Sequence, residues 1–161
     1  MLHYVTGDLL DPKFTIFCHQ VNCQGVMGGG VAKQIKDKYP EVFAEYKGDC
    51  FALGKEFLLG TSRWVKTNDG RYCVNMFAQD RYGRDKRYTD YEAFALCLRS
   101  IIDEVKERIL NRDGITKETT IAFPYMIGCG LGGGNWSVIE ILLEWFERQL
   151  PFLQIYIVKK E

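Results

Sequence analysis

Two hydrophobic periods alternate along this chain, and the switches between them outline its elements. Leu2 to Thr6 reads as a short first strand. Phe14 to Asn22 opens with a continuous apolar run, the pattern of a strand covered on both faces. A glycine-rich turn then leads into a helix from about Gly30, with Val31, Ala32, Ile35 and Tyr39 on one face. Pro40 interrupts it, and Val42, Phe43 and Tyr46 mark a second short helix. Phe57 to Val65 and Tyr72 to Ala78 read as two strands. Asn68-Asp69-Gly70 joins them, and Asp-Gly between strands signals a hairpin because the turn needs positive φ.

The longest helix is predicted from about Asp90 to Leu110. Thr89 and Glu92 would form its capping box, and Phe94, Leu98, Ile101, Ile102, Val105 and Ile109 its apolar stripe. Thr119 to Phe123 follows as a strand. The next helix runs from about Trp136 to Gln149, with the stripe Val138, Ile141, Leu142 and Trp145 and a second box from Ser137 and Glu140. Phe152 to Val158 closes as a strand. Strands alternating with helices of this length define an α/β fold layered helix–sheet–helix, and the hairpin makes the sheet mixed.

Composition narrows the class. The 161 residues suit one domain, 1–161, and 47% hydrophobic with 26% charged residues exclude disorder and coiled coil. No apolar run approaches the ~20 residues of a membrane-spanning helix. The opening residues have neither a basic nor an apolar signal region, so a cytoplasmic location is expected. Lys plus Arg is 21 and Asp plus Glu is 21, a balance that disfavours generic nucleic-acid binding. It does not disfavour a small anionic ligand, which backbone amides and helix N-termini hold without net charge. Six cysteines occur without a Cys-x-x-Cys pair and with only two histidines, His3 and His19, so reduced thiols and no metal or cofactor are expected.

The candidate chemistry concentrates in two glycine loops at strand-to-helix junctions. One is Asn22 to Ala32, holding Gly25, Gly28, Gly29 and Gly30. The other is Ile127 to Trp136, holding Gly128, Gly130, Gly132, Gly133 and Gly134. A single such loop is more often a tight turn than a site. Two at equivalent junctions of one small sheet point to a phosphate-bearing ligand. The first lacks the Gly-Lys-Ser/Thr of a P-loop. Gly128, Gly130 and Gly133 satisfy a dinucleotide template, yet they fall near the end of the chain, where that fold does not place them.

Three ordered stretches carry a family resemblance: Val5-Thr6-Gly7-Asp8-Leu9, the Asn22 loop, and Pro124-Tyr125-Met126-Ile127-Gly128-Cys129-Gly130-Leu131. They resemble the signatures of the macro domain, an ADP-ribose-binding module with a three-layer α/β/α fold. The resemblance implies that Asp8 accepts from the adenine amino group beside Gly7 and the Leu9 amide. It also implies that Asn22 faces the distal ribose. Gly28, Gly29, Gly30 and Val31 would clasp the diphosphate from one side, and Ile127, Gly128, Cys129, Gly130 and Leu131 from the other. Tyr156 is the candidate for adenine stacking.

Within that family, His19-Gln20-Val21-Asn22-Cys23-Gln24-Gly25 and the triple glycine are most similar to the ADP-ribose-1''-phosphate phosphatase branch, grouped with terminal ADP-ribose protein glycohydrolases. The glycohydrolase type uses a lysine and an aspartate where this chain has about Gln79 and Gly132. The resemblance therefore implies hydrolysis of ADP-ribose-1''-phosphate to ADP-ribose and phosphate. The alternatives are a non-catalytic ADP-ribose reader and a hydrolase that frees ADP-ribose from a macromolecule. His19 is the candidate acid or base, because imidazole titrates near neutrality. A strand histidine satisfied by a backbone carbonyl is the equally weighted reading. Asn22 would position the ribose hydroxyls, and Asp80 lies near the expected distal site. Cys23 and Cys129 read as packing residues. Asp80 to Tyr88 is basic and aromatic, a solvated loop in the first reading and a substrate-gathering rim in the second.

Overall fold

The computed structural model describes residues 2–161. Its strands are β1 (His3–Thr6), β2 (Ile16–Val21), β3 (Ser62–Lys66), β4 (Tyr72–Phe77), β5 (Thr120–Pro124) and β6 (Gln154–Lys159). The helices are α1 (Gly30–Lys38), α2 (Pro40–Leu53), α3 (Lys55–Leu58), α4 (Tyr91–Leu110) and α5 (Trp136–Gln149). The strands form one sheet in the order β1-β6-β5-β2-β4-β3. All neighbours are parallel except β3, which runs antiparallel to β4. The mixed α/β sheet expected from the periodicity is therefore present.

Side-chain alternation along the buried strands feeds two cores, one on each face of the sheet. Ile16 and Cys18 of β2 join Val74, Ile121 and Ile155 beneath α4 and α5. Phe17 and Val21 join Cys73 and Phe77 beneath α1 and α2. The chain thus leaves β2 for one face and β5 for the other. Register pairing between these adjacent strands covers only Ile16 with Ile121 and Phe17 with Ala122. Beyond those pairs their carboxyl ends diverge, which opens the sheet where a doubly covered α/β fold places its ligand.

Several local expectations are corrected. Phe57 and Leu58 belong to α3 rather than to a strand, because Gly54 at φ +70° breaks α2 and Leu58 N and Leu59 N bond back to Gly54 and Lys55 carbonyls. The second helix is not short: α2 runs 14 residues, with Pro40 at its first turn, where the missing N–H has no partner to lose. Asp90, not Thr89, caps α4 by accepting from Ala93 N, and Asn135 caps α5 by accepting from Ser137 N. The buried stripe of α5 is Ile139, Leu143 and Phe146, while Ile141 is 63% exposed. That shift of one residue reflects up to three apolar residues per turn, which leave the buried face undetermined by periodicity.

The hairpin forms as expected. Thr67 N donates to Arg71 O and Gly70 N to Thr67 O, with Gly70 at φ +84°. Arg71 then does what its type does not announce: 5% exposed, it binds Phe14 O, Leu10 O, Leu9 O and the Tyr39 hydroxyl. Charge-assisted bonds to carbonyls of this kind stabilise by ~1.5–3 kcal/mol each. They pin the segment after β1 to the start of β4.

Candidate functional site

The two glycine loops face each other across one cleft at the carboxyl ends of β2, β4 and β5. Its volume is about 590 Å³, within the ~300–1,000 Å³ range of small-molecule sites. Gly28 to Ala32 form one wall and Tyr125 to Gly128 with Gly130 and Leu131 much of the other, with His19 and Gln20 bordering the floor. A Cβ on Gly29 would lie 3.3 Å from Leu131 Cδ1, so the loops nearly meet above the cleft.

The first wall ends in the N-terminus of α1. Gly29 at that cap has no side chain to offer its helix, and the amides of Gly28, Gly29, Gly30 and Val31 donate to no protein acceptor. Four free donors and a positive helix end constitute an anion site. Behind this wall, Tyr46 holds the loop. Its hydroxyl reaches Asn22 O at 2.8 Å and Asn22 Oδ1 at 2.7 Å and accepts from Val26 N at 3.1 Å. Asn22 completes the brace by donating to Val26 O and accepting from Gln24 N.

The second wall is built differently. Met126 and Gly128 both adopt positive φ, and the loop closes on itself through Ile127 N to Pro124 O, Cys129 N to Met126 O and Gly134 N to Gly128 O. The amides of Gly128, Gly130, Leu131 and Gly132 remain unpaired with protein acceptors. Thr89 Oγ1 donates to Gly128 O at 2.6 Å, while Tyr88 N and Thr89 N both donate to Gly132 O. Gln20 Nε2 bridges Thr89 Oγ1 and Gln79 Oε1. A Cβ at Gly132 would sit 2.4 Å from Thr89 Oγ1, so this position admits only glycine.

His19 borders the cleft but is 1% exposed. Its Nε2 donates to Asn75 Oδ1 at 2.6 Å, and its Nδ1 and Asn75 Nδ2 are enclosed without partners. Burial lowers its pKa from the ordinary value to about 4, against the smaller opposing effect of Asn75, so the ring is neutral at pH 7. The expected acid or base is thus a floor residue held by an amide side chain, not by the backbone carbonyl first considered. Burial also pushes the Cys23 thiol up to about 12 and Cys129 up to about 11, leaving both as unreactive thiols at neutral pH.

Asp80, Tyr156, Cys129 and the stretch Gly7, Asp8 and Leu9 are expected site residues that do not line the cleft. Asp80 does not line it: its carboxylate accepts from Gln24 Nε2 at 3.0 Å and faces Lys55 Nζ at 3.5 Å. Tyr156 sits two residues before the carboxyl-terminal end of its pairing with β5 and packs on His3 and Phe14, so its ring is not placed for stacking in the cleft. Tyr125, 37% exposed, supplies a ring there instead. Gly7 and Asp8 lie at the carboxyl end of β1, where Gly7 N bonds Lys159 O. Asp8 Oδ1 accepts from Leu10 N, the turn role, and its other oxygen and the Leu9 amide engage no protein group. Read from the sequence, Tyr46, Thr89, Gln20 and Tyr125 have no individual role in the site. Tyr46 carried a faint signal, a hydroxyl on the buried face of its helix.

Facing amide-rich loops at a topological switch point define an α/β protein whose cleft is suited to a phosphate-bearing ligand. Comparison with known proteins names the family. The Macro domain family matches residues 18–141, and the chain belongs to it. It is 30% identical to a DNA ADP-ribosyl glycohydrolase of Mycobacterium bovis over 94% of this chain, but spans only 40% of that relative's length. It is 25% identical to the ADP-ribose 1''-phosphate phosphatase of Scheffersomyces stipitis over 98% of this chain and 100% of the relative. The macrodomain of Mycobacterium tuberculosis DarG superposes with a TM-score of 0.80 at 30% identity, covering 99% of this chain and 97% of that one.

Proposed function

We propose that the cleft binds ADP-ribose and that the protein hydrolyses a derivative at the distal ribose, with ADP-ribose-1''-phosphate as the leading substrate. The supporting observation is the pair of facing amide walls. They lie between Asp8 at the β1 end of the sheet and Gln79 at the β4 end. That order runs adenine, diphosphate, distal ribose. The phosphatase of Scheffersomyces stipitis, alike over its full length, supports the choice of substrate.

Water and the glycosyl phosphate would give ADP-ribose and inorganic phosphate. Free amides that take up charge on the departing phosphate supply catalytic help of the kind oriented donors give. Asn22 shapes the wall beside the ribose, and His19 keeps the floor in place. The pH–rate profile should therefore lack a limb near 6.5, the ordinary imidazole value. A cytoplasmic location belongs to the same reading, in keeping with six free cysteines.

The Mycobacterium relative favours a second reading, removal of ADP-ribose from DNA. Against it stand Gln79, an amide without nucleophilic character, and Gly132, where any side chain meets Thr89. Calorimetric titration tests the binding: ADP-ribose should bind near micromolar, about −8 kcal/mol, with AMP far weaker. Phosphate release from ADP-ribose-1''-phosphate and ADP-ribose release from modified DNA then separate the two activities. A protein that binds ADP-ribose and releases neither product is a reader.

A further inference from the structure

The residues lining the cleft carry an asymmetry of charge. Among the described residues that border it there is no carboxylate, and Arg84 is the one with a permanent charge. A diphosphate ligand needs no such cation, because both walls already offer free amides. Arg84 lies outside those walls, on the segment that continues β4, where Gln79, Tyr82 and Gly83 of the same segment also line the cleft.

This segment is held in place. Gln79 and Thr89 form an antiparallel bridge that closes it, and Gly132 O anchors it through two amides. At Gly83 a Cβ would come within 2.8 Å of Asp85 Oδ1 and 2.9 Å of the Tyr88 ring, so the chain is wrapped tightly just before Arg84. Asp85, the neighbour best placed to neutralise Arg84, instead accepts from the Tyr88 hydroxyl at 2.5 Å. The other cations of the segment are engaged: Arg81 faces Asp80, Lys86 lies over Tyr88 and Arg87 over Tyr91. Arg84 has no carboxylate partner and no ring beneath it, and its side chain is exposed at the cleft mouth.

We infer that Arg84 is a specificity-determining residue, forming an anion subsite for a phosphate group carried on the distal ribose. This rests on the ADP-ribose reading above and deepens it. The guanidinium binds phosphate through paired N–H donors and favours a ligand bearing that group over ADP-ribose itself. The basic, aromatic segment is then neither merely solvated nor a general collector of polyanions. One of its cations faces the ligand, and the others are tied to side chains of the protein.

The test compares wild type with Arg84→Gln and Arg84→Lys against two ligands: ADP-ribose, and a phosphonate analogue of ADP-ribose-1''-phosphate that cannot be hydrolysed. Wild type should bind the phosphonate about tenfold more tightly than ADP-ribose, a difference of about 1.4 kcal/mol. Arg84→Gln should abolish that preference while leaving ADP-ribose affinity within about twofold, and Arg84→Lys should keep part of it. Raising the salt concentration should erode the preference in wild type and in Arg84→Lys, and change nothing in the ratio shown by Arg84→Gln. Equal affinities in wild type, or a loss shared equally by both ligands in Arg84→Gln, would overturn the subsite. Failure of the folded wild type to bind either ligand would instead remove the ADP-ribose reading, and the subsite with it.

Discussion

The two glycine loops share a composition and a place in the topology, yet they are braced by unlike means. The first ends in a helix, and its amides are free because α1 starts there without a side-chain cap. Its support comes from one phenol, that of Tyr46, and its side of the sheet holds the buried His19–Asn75 pair. The second loop precedes its helix by several residues and is pressed against the segment ending at Thr89. Its support is the neutral Gln20–Thr89–Gln79 network. Glycine therefore does two jobs. In the first loop it exposes amides to a ligand. At Gly132 and Gly134 it lets backbone meet backbone and a threonine, with distances of 2.8 and 2.7 Å from their would-be Cβ atoms to Gly128 O.

Substitutions can separate these jobs. The largest effect is expected at Gly132: alanine there collides with Thr89 Oγ1 and Gly128 O, and should destabilise by more than ~3 kcal/mol. Thermal or urea unfolding would read this directly, and an unchanged midpoint would refute the tight backing of the second loop. Acid should distinguish the loops next. The folded-state pKa of His19 is about 4 against an ordinary 6.5, so the unfolded chain takes up a proton that the folded one refuses. Stability from the neutral ring is complete above 6.5 and is lost as pH falls from 6.5 towards 4. The loss is ~3 kcal/mol at most, at 1.36 kcal/mol per unit. His19→Gln should flatten that part of the stability-against-pH curve. A histidine slope that persists in the variant would place the titration elsewhere.

Tyr46→Phe removes the brace of the first loop only. It should cost about 2 kcal/mol, the scale of leaving buried polar groups without partners, and weaken ADP-ribose more than Thr89→Val does per unit of lost stability. Calorimetry of both variants beside their unfolding curves would show whether the first loop is the more important for binding. The smallest effect belongs to Gly28→Ala, whose Cβ would meet only Val26 Cγ1 at an ordinary 3.5 Å. Its stability should change by less than ~0.5 kcal/mol, which denaturant titration can resolve.

Much of the architecture was legible beforehand because it depends on local pattern. The apolar run of β2, the Asp-Gly turn, the limits of α5 and the glycine loops at junctions all follow from periodicity and backbone freedom. The elements misread are those where local signals compete. Phe57 and Leu58 look like strand residues until Gly54 and the carbonyls of Gly54 and Lys55 close a turn around them. Thr89 sits one place before the cap position of α4 and Ser137 two places after that of α5, but Asp90 and Asn135 hold those positions and leave the Thr89 hydroxyl free for Gly128.

Pairings between distant segments decided the rest. The sequence by itself determined that an α/β sheet would present two amide-rich loops, since glycine content and strand–helix alternation are local properties. It also carried His19 and Asn22 as the polar residues beside the first loop. Only the tertiary structure decided that His19 is enclosed against Asn75, that Asp80 turns to Lys55, and that Arg84 reaches the cleft uncompensated. Burial and charge partners arise from residues tens of positions apart. Whether a side chain titrates, braces or meets a ligand is therefore set by the folded surroundings rather than by its own type.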